Sequence, residues 1–230
     1  MGIRINKYLS QFGFTSRREA DKLILDGRVT VNNKIIQPGY KVQENEIVKV
    51  DGEKIKSNFK KNIYMAFNKP KGIVCTTDTE KEENNIIDYI NYNKRIFPIG
   101  RLDKLSEGLI LLTNDGDIVN KILRSRYKNE KEYLVTVNKK ISKDFLKKLE
   151  NGVPILNTIT RKCKTTLIND FQFKIILTQG LNRQIRRMCE YFDFRVKKLE
   201  RIRIINIELD VPLGKWRYLS QEEIKFLKNL

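Results

Sequence analysis

The chain has 230 residues, among them 46 Lys and Arg, 28 Asp and Glu and not one His, which gives a net charge of +18. A chain without His excludes Ser-His-Asp and Cys-His catalytic relays and HExxH zinc helices, so catalysis would have to use carboxylates, Lys, Arg, Tyr or the backbone. The positive charge favours a polyanionic partner, although a Lys-rich composition throughout the chain would also account for it.

Cysteine usage and hydropathy indicate a cytoplasmic protein. Cys75, Cys163 and Cys189 are far apart in the sequence, which favours neither a disulfide framework nor a zinc knuckle. No apolar run approaches the roughly 18 residues of a membrane span. The first residues also lack the apolar middle of a signal peptide. We therefore expect a protein of the cytoplasm with no membrane partner.

The first 58 residues predict a compact basic domain. Apolar residues at helical spacing predict two short helices separated by Gly13. Ser16, with Glu19 three residues later, has the spacing of a capping box at the start of the second helix. Three short strands are predicted to follow, at residues 28–31, 34–36 and 47–50.

A cluster of basic residues lies on or beside these two helices: Arg4, Lys7, Arg17, Arg18 and Arg28. Arg17 and Arg18 stand at a predicted helix N-terminus, where backbone amides favour a phosphate group. The cluster therefore predicts nucleic-acid binding, although any one of its residues could belong to a solvated face. The run RINKYLSQFGFTSRREADKLILDGRVTVN resembles the small αL RNA-binding domain first described in ribosomal protein S-four. A DNA-binding helix-turn-helix is the competing interpretation, and the hairpin after the second helix fits it less well.

The rest of the chain predicts a second domain over residues 63–230, after a polar linker at residues 57–62. Strands are predicted at residues 63–68, 72–76, 109–113, 131–138, 165–169, 171–178 and 203–209. Helices are predicted at residues 117–124, 142–151, 182–192 and 220–228. Because strands outnumber helices and mostly run strand-turn-strand, the pattern predicts an α+β fold with an antiparallel or mixed sheet.

The segment Gly100-Arg-Leu-Asp103 is the strongest candidate for chemistry. The carboxylate of Asp103 lies close to Arg101 and has glycines on both sides, which is unusual for a residue that serves packing alone. A turn aspartate with a capping role is the alternative, and the residues alone leave both open. Asp115-Gly-Asp117 lacks the further oxygen ligands of a calcium loop, so we interpret it as a turn that caps the next helix.

The predicted helix at residues 182–192 has two different faces. One is an apolar stripe of Ile185, Met188, Cys189 and Phe192. The other is a polar stripe of Arg183, Arg186, Arg187 and Glu190. The polar stripe could be solvated, could hold a phosphate or a catalytic carboxylate, or could form a local Arg186–Glu190 ion pair.

Four motifs occur in one order along the chain: Asn68-Lys-Pro-Lys-Gly72, Gly100-Arg-Leu-Asp103, Lys131-Glu-Tyr133 and Leu181-Asn-Arg-Gln-Ile-Arg-Arg-Met188. In this order, and after such an N-terminal domain, they resemble the RsuA-type pseudouridine synthases over nearly the whole chain. The stretch at residues 181–209 is most similar to the large-subunit, F-type members. Leu105 departs from the acidic residue expected two positions after the aspartate, and Asn33 stands where Gly is usual.

The resemblance implies an isomerase that converts a specific uridine of ribosomal RNA, in the large subunit (23S), to pseudouridine by base flipping. It implies that Asp103 is the nucleophile, that Arg186 pairs with this carboxylate, and that Tyr133 lies against the target base. Arg101 would fill the gap left by the flipped uridine, and Lys69 and Arg183 would contact RNA. No cofactor or metal is expected, a tRNA is a further candidate substrate, and the chain is expected to be a monomer. A non-catalytic RNA-binding protein and a DNA-binding regulator are the alternatives.

Overall fold

The computed structural model describes residues 2–55, 62–78, 82–123 and 128–230. The chain divides into two compact units, one of Met1–Asn62 with Asn93–Arg95, the other of Ile63–Tyr92 with Ile96–Leu230. Apart from Asn62, the linker predicted at residues 57–62 lies outside the described residues. No helix in the described part of the chain has the length and apolar character needed to cross a membrane.

The first unit packs two helices and short strands around one apolar cluster. Its elements are β1 (Ile3–Arg4), α1 (Ile5–Gln11), α2 (Arg17–Leu25), β2 (Val29–Val31), β3 (Lys34–Ile35), β4 (Lys41–Val42), β5 (Val48–Val50) and β6 (Glu53–Lys54). The strands form a sheet of order β3-β2-β5-β6 and a separate β1–β4 pair. Ser16 Oγ accepts a hydrogen bond from Glu19 N at 3.1 Å, which confirms the predicted start of α2. Asn32 and Asn33 both have positive φ and make the predicted tight turn.

The second unit is built on one large mixed sheet. Its strands are β7 (Tyr64–Lys69), β8 (Phe97–Pro98), β9 (Glu107–Thr113), β10 (Lys131–Val137), β11 (Pro154–Ile155), β12 (Thr158–Ile159), β13 (Lys164–Asn169), β14 (Gln172–Leu177), β15 (Val196–Ile204), β16 (Ile207–Glu208) and β17 (Trp216–Tyr218). The sheet order is β13-β14-β10-β15-β9-β7-β17, with β16 on β15 and β8 on β9, while β11 and β12 form a separate pair. The β15–β9 pair is parallel, and the other pairings described in this sheet are antiparallel. The predicted α+β fold is confirmed.

Five helices of the described residues flank this sheet: α3 (Ile86–Ile90), α4 (Gly116–Leu123), α5 (Lys143–Glu150), α6 (Gln184–Glu190) and α7 (Gln221–Lys228). The apolar stripe predicted on α6 is confirmed, because Ile185, Met188 and Cys189 are buried in one cluster with Val135 and Phe173. Asp115 Oδ1 accepts a hydrogen bond from Asp117 N at 3.0 Å, so the predicted turn before α4 is also confirmed.

Two of the predicted strands are wrong. Residues 72–76 contribute an isolated bridge from Val74 to Asn85 rather than a strand. Residues 203–209 span the end of β15, a turn with Ile205 at φ 58°, and β16. Residues 196–202 of the long strand β15 were not predicted, because its inward-facing residues include Arg201, which is 3% exposed and interrupts the apolar alternation.

Candidate active site

A cleft of about 750 Å³ in the second unit collects four of the six functional residues predicted in that unit. Its walls come from the segment before β9, from the first residues of β10, from the loop that leads into α6, and from the middle of β15. Asp103, Tyr133, Arg101 and Arg183 all line it. Asp103 and Tyr133 are half-buried, whereas Arg101 is exposed. Motifs that are far apart in the sequence are therefore brought to one concave surface.

Asp103 stands at the start of a tight turn that is held from several sides. Its carbonyl oxygen accepts a hydrogen bond from Ser106 N at 2.9 Å, which closes the turn. The preceding residue, Leu102, is buried, and its backbone N donates to Cys75 Sγ at 3.4 Å. Gly72 N donates to Lys104 O at 2.7 Å. The segment at residues 68–72 thus fixes the backbone that presents the Asp103 carboxylate.

Lys69 does not contact RNA as expected, because its side chain is fully buried. Its Nζ donates hydrogen bonds to Pro70 O and Ile73 O, both at 2.9 Å. Burial lowers the pKa of Lys69. The prediction of an RNA contact is therefore wrong. Lys69 instead stabilises the turn at residues 70–73. Gly72 of this turn binds the backbone of the Asp103 turn.

Arg186 does not pair with Asp103 as expected. Its Nη2 donates to Leu105 O at 2.9 Å and lies 3.3 Å from Ser106 Oγ, and its Nη1 donates to Val196 O at 3.1 Å. Among the described residues, no ion pair joins Arg186 to Asp103 or to Glu190. The geometric reason is that the guanidinium is directed at two main-chain oxygens, one in the Asp103 turn and one at the start of β15, so Arg186 braces the backbone that follows Asp103.

Charges near Arg186 act on it without direct contact. Burial lowers the pKa of the guanidinium, the positive charge of Arg183 lowers this pKa further, and the carboxylate of Asp103 opposes both effects. Arg183 itself has φ 50° and stands at the N-terminal end of α6, in the lining of the cleft. This backbone conformation turns the chain sharply from the loop into α6.

Sequence reasoning missed Arg201, which lies in the lining of the cleft on β15. Its Nε donates to Leu109 O at 2.6 Å, and its Cζ lies 6.0 Å from the ring centroid of Tyr133. Residue 201 pairs with Gly108 of β9, where a Cβ would overlap the carbonyl oxygen of residue 201. A glycine inside a strand indicates such a close backbone approach, so Gly108 was the available signal.

Lys131, at the start of β10, also lines the cleft and was named only as part of a motif. Burial, together with the nearby charge of Arg201, lowers the pKa of Lys131 to about 8. Lys131 therefore loses its charge as the pH rises through about 8, at a lower pH than an exposed lysine does.

The basic residues predicted to bind RNA in the first unit differ in their surroundings. Arg4, Arg17 and Arg18 are exposed, and Lys7 is half-buried. Arg28 is exposed, but its Nε and Nη2 bind the carboxylate of Asp51 at 2.8 and 2.6 Å. A bidentate pair of this kind occupies the guanidinium, so Arg28 is a weaker candidate for a phosphate contact than Arg17 or Arg18.

Comparison with known proteins agrees with this arrangement. Residues 63–191 match the family described as RNA pseudouridylate synthase, and residues 3–48 match the S4 domain. The dual-specificity RNA pseudouridine synthase RluF of Escherichia coli (strain K12) is 53% identical over 224 residues, which cover 96% of this chain and 77% of that protein. The ribosomal large subunit pseudouridine synthase B of Bacillus subtilis (strain 168) is 34% identical over 236 residues, which cover 99% of this chain and 96% of that protein.

A solved structure of a pseudouridylate synthase is also similar. It has a TM-score of 0.71 and 25% sequence identity, and the match covers 98% of this chain and 99% of that chain. The expected family and the expected pairing of domains are confirmed. The chain belongs to the RNA pseudouridylate synthase family, as an RsuA-type enzyme with an S4 domain before its synthase domain.

Proposed function

We propose that the protein isomerises a uridine of large-subunit ribosomal RNA to pseudouridine, with Asp103 as the nucleophile. The observation that carries the proposal is the position of the Asp103 carboxylate in the cleft. It is half-buried and shares the cleft with an aromatic ring and with basic residues. Glu82, the other acidic residue of the described lining, is exposed.

The isomerisation exchanges one bond for another within the same nucleotide. The bond between the sugar and N1 of uracil breaks, the base turns, and C5 of the base joins the sugar while C5 loses a proton and N1 gains one. The carboxylate of Asp103 can attack or shield the electron-poor carbon and then leave again. Tyr133 stacks on the base, and its phenol oxygen accepts the proton from C5 as its own hydroxyl proton passes to solvent, which supplies the proton that N1 gains. Because no atom is gained or lost, the reaction requires no oxidant, reductant or cosubstrate.

The target uridine has to leave its helix before it can reach a half-buried carboxylate. Flipping a base costs a few kcal/mol, and a side chain that fills the gap offsets part of this cost. Arg101 is suited to that role because it is exposed and stands two residues before Asp103. Arg183, at the N-terminal end of α6 in the same cleft, is suited to a phosphate contact.

The choice of substrate rests on the relatives and on the first domain. The Bacillus subtilis relative is a large-subunit enzyme, and the dual-specificity Escherichia coli relative supports a second RNA, for which a tRNA is the candidate. The S4 domain supplies exposed arginines for RNA phosphates. The proposal also places the protein in the cytoplasm, since the substrate is ribosomal RNA, and takes the chain to act as a monomer.

Pseudouridine mapping tests the proposal. Ribosomal RNA and tRNA are mapped from cells with the gene, without it, and without it but expressing the Asp103→Asn variant. We expect at least one large-subunit pseudouridine to disappear without the gene and to stay absent with Asp103→Asn. Unchanged maps would support the non-catalytic alternative. A preference of the purified protein for duplex DNA over folded RNA would support a DNA-binding regulator.

A further inference from the structure

Arg201 is a buried cation with an unused hydrogen-bond donor. The residue is 3% exposed, and its Nε is bound to Leu109 O at 2.6 Å. Its Nη2 is buried and has no hydrogen-bond partner among the described residues. Buried donors of charged groups are costly to leave unpaired, so a guanidinium in this state indicates an acceptor that arrives from outside.

The unused donor belongs to a residue of the cleft. Arg201 and Tyr133 are paired across β15 and β10, and the guanidinium carbon lies 6.0 Å from the centroid of the Tyr133 ring. Both residues line the cleft that holds Asp103. Gly108 fixes the backbone at this point, because any larger residue would overlap the carbonyl oxygen of residue 201. Arg201 is therefore held rigidly beside the ring on which the base is proposed to stack.

Positive charge accumulates around Arg201. Arg201 lies close enough to Lys69 and Lys131 to act on the charge of both. None of these three side chains takes part in an ion pair among the described residues. The surroundings of Arg201 thus favour an oxygen atom that carries negative charge.

We infer that Arg201 Nη2 donates a hydrogen bond to a carbonyl oxygen of the bound uracil, which gains negative charge when the bond to the sugar breaks. The inference rests on the proposed function. When that bond breaks, its electron pair stays with the base and spreads from N1 onto the carbonyl oxygens, and it returns to a carbon–carbon bond when C5 joins the sugar. Arg201 stabilises the charge and transfers no proton.

A phosphate oxygen could accept the same hydrogen bond, but the depth of Arg201 in the cleft favours the base as the acceptor. Arg201 is nearly inaccessible, whereas Arg101 at the same cleft is exposed. The phosphates of a flipped nucleotide stay on the backbone at the opening, and the base is the part that reaches inward.

The test combines Arg201 variants with RNA that is altered at single atoms. The parent, Arg201→Lys and Arg201→Met are assayed as full chains on a ribosomal RNA fragment that the parent modifies. The target uridine is replaced by 2-thiouridine or 4-thiouridine, or its phosphate by a phosphorothioate. Arg203→Lys is the matched control, because Arg203 lies two residues along the same strand and is paired with Glu132 and Glu130.

Arg201→Met should slow single turnover at saturating RNA by about 10- to 100-fold, the worth of one hydrogen bond to a charged donor. Arg201→Lys should retain part of the rate, and Arg203→Lys should match the parent. One of the two thio-bases should slow the parent about tenfold and have little further effect on Arg201→Met, because that variant already lacks the same hydrogen bond. If Arg201→Met does not fold, Arg201→Lys is used in the same comparison.

The outcomes separate the inference from the proposed function. Rate losses that multiply independently for both thio-bases overturn the inference, and a selective dependence on the phosphorothioate assigns the acceptor to phosphate and overturns it as well. If the parent forms no pseudouridine, the proposed function fails. The parent and the Arg201 variants are then compared by their affinity for the RNA with and without each thio-base. If a thio-base weakens RNA binding by the parent but not by the Arg201 variant, the contact between Arg201 and the base is supported without the chemistry. If the two effects on affinity are independent, both the inference and the proposed function are overturned.

Discussion

At the scale of single residues, the structure assigns different work to residues that look alike in the sequence. Arg183, Arg186 and Arg187 are close in the sequence, yet Arg183 lines the cleft, Arg186 is buried against the Asp103 turn, and Arg187 binds Asn182. The expected ion pair failed because sequence spacing indicates only that Arg186 lies near Asp103. It cannot show that the guanidinium binds the main-chain oxygens of Leu105 and Val196 instead.

The bracing role of Arg186 predicts a large effect on rate and a small one on RNA binding. Arg186→Ala removes the hydrogen bonds to Leu105 O and Val196 O, so the Asp103 carboxylate loses its fixed position. We expect the single-turnover rate to fall by about 100-fold or more, because even a small misplacement of a reacting group costs this much. RNA affinity should change little, and Arg187→Ala serves as the control.

Arg186→Lys should not restore the rate, because one ammonium group cannot reproduce a forked contact with two carbonyl oxygens. A Lys variant with the parent rate would contradict the bracing role. Urea unfolding of each variant measures how much of the loss is a loss of stability.

The lowered pKa of Lys131 predicts a pH dependence. With a pKa of about 8, Lys131 is charged below pH 8 and loses its charge as the pH rises through that value. We expect the single-turnover rate to fall above pH 8 as the cleft loses positive charge. Lys131→Arg, whose side chain does not titrate in this range, should keep its rate to higher pH.

Rate profiles between about pH 6.5 and about pH 9.5 measure this difference. Lys174→Arg is the control, because Lys174 is partly exposed and paired with Glu132. Coincident profiles for the parent and Lys131→Arg would show that Lys131 does not control the rate.

At the scale of elements, hydrophobic periodicity predicted the helices and strands whose apolar pattern is regular. It failed for a strand that contains a buried charged residue. The strands at residues 109–113 and 171–178 and the helix at residues 142–151 correspond to β9, β14 and α5. Strand β15 was only partly predicted, since it places a buried arginine inside the sheet. The parallel β15–β9 contact was also not predictable, because pairing over this distance in the sequence leaves no local signal beyond Gly108.

The β15–β9 contact predicts that Gly108→Ala destabilises the second unit. Gly108 has φ 101°, and an added Cβ would overlap the carbonyl oxygen of Arg201. Strain and overpacking together should lower the free energy of unfolding by about 2–4 kcal/mol. Gly180→Ala is the control, because its Cβ would meet nothing within 4 Å and its φ is not positive. Equal urea midpoints for the two variants would contradict this account of the strand contact.

At the scale of the whole molecule, we expect the two units to divide RNA affinity and chemistry between them. Exposed arginines are on the first unit, and the cleft lies in the second. Phosphate contacts supply affinity and register but carry no information about the bases. This division can be proposed from the sequence because both the basic cluster and the motifs are local. The arrangement of cations inside the cleft required the folded sheet.

This division predicts that neutralising Arg17 and Arg18 changes salt dependence and leaves the chemistry intact. Arg17→Gln with Arg18→Gln should reduce the slope of log affinity against log salt by about 1 for each phosphate group that the variant no longer binds. The rate at saturating RNA should stay near that of the parent. Lys140→Gln with Lys148→Gln removes the same charge from surface ion pairs with Asp170 and Asp144. Equal slopes for both double variants would mean that Arg17 and Arg18 belong to a solvated face.

The nucleophile is the central claim, and Asp103→Asn tests it most directly, because the substitution keeps shape and volume and removes the negative charge. The measurement is single-turnover pseudouridine formation at saturating ribosomal RNA, with RNA affinity measured on the same preparation and Asp170→Asn as the control. We expect Asp103→Asn to form no product while its affinity stays within several-fold of the parent, and Asp170→Asn to match the parent in both. Substantial turnover by Asp103→Asn would contradict the account.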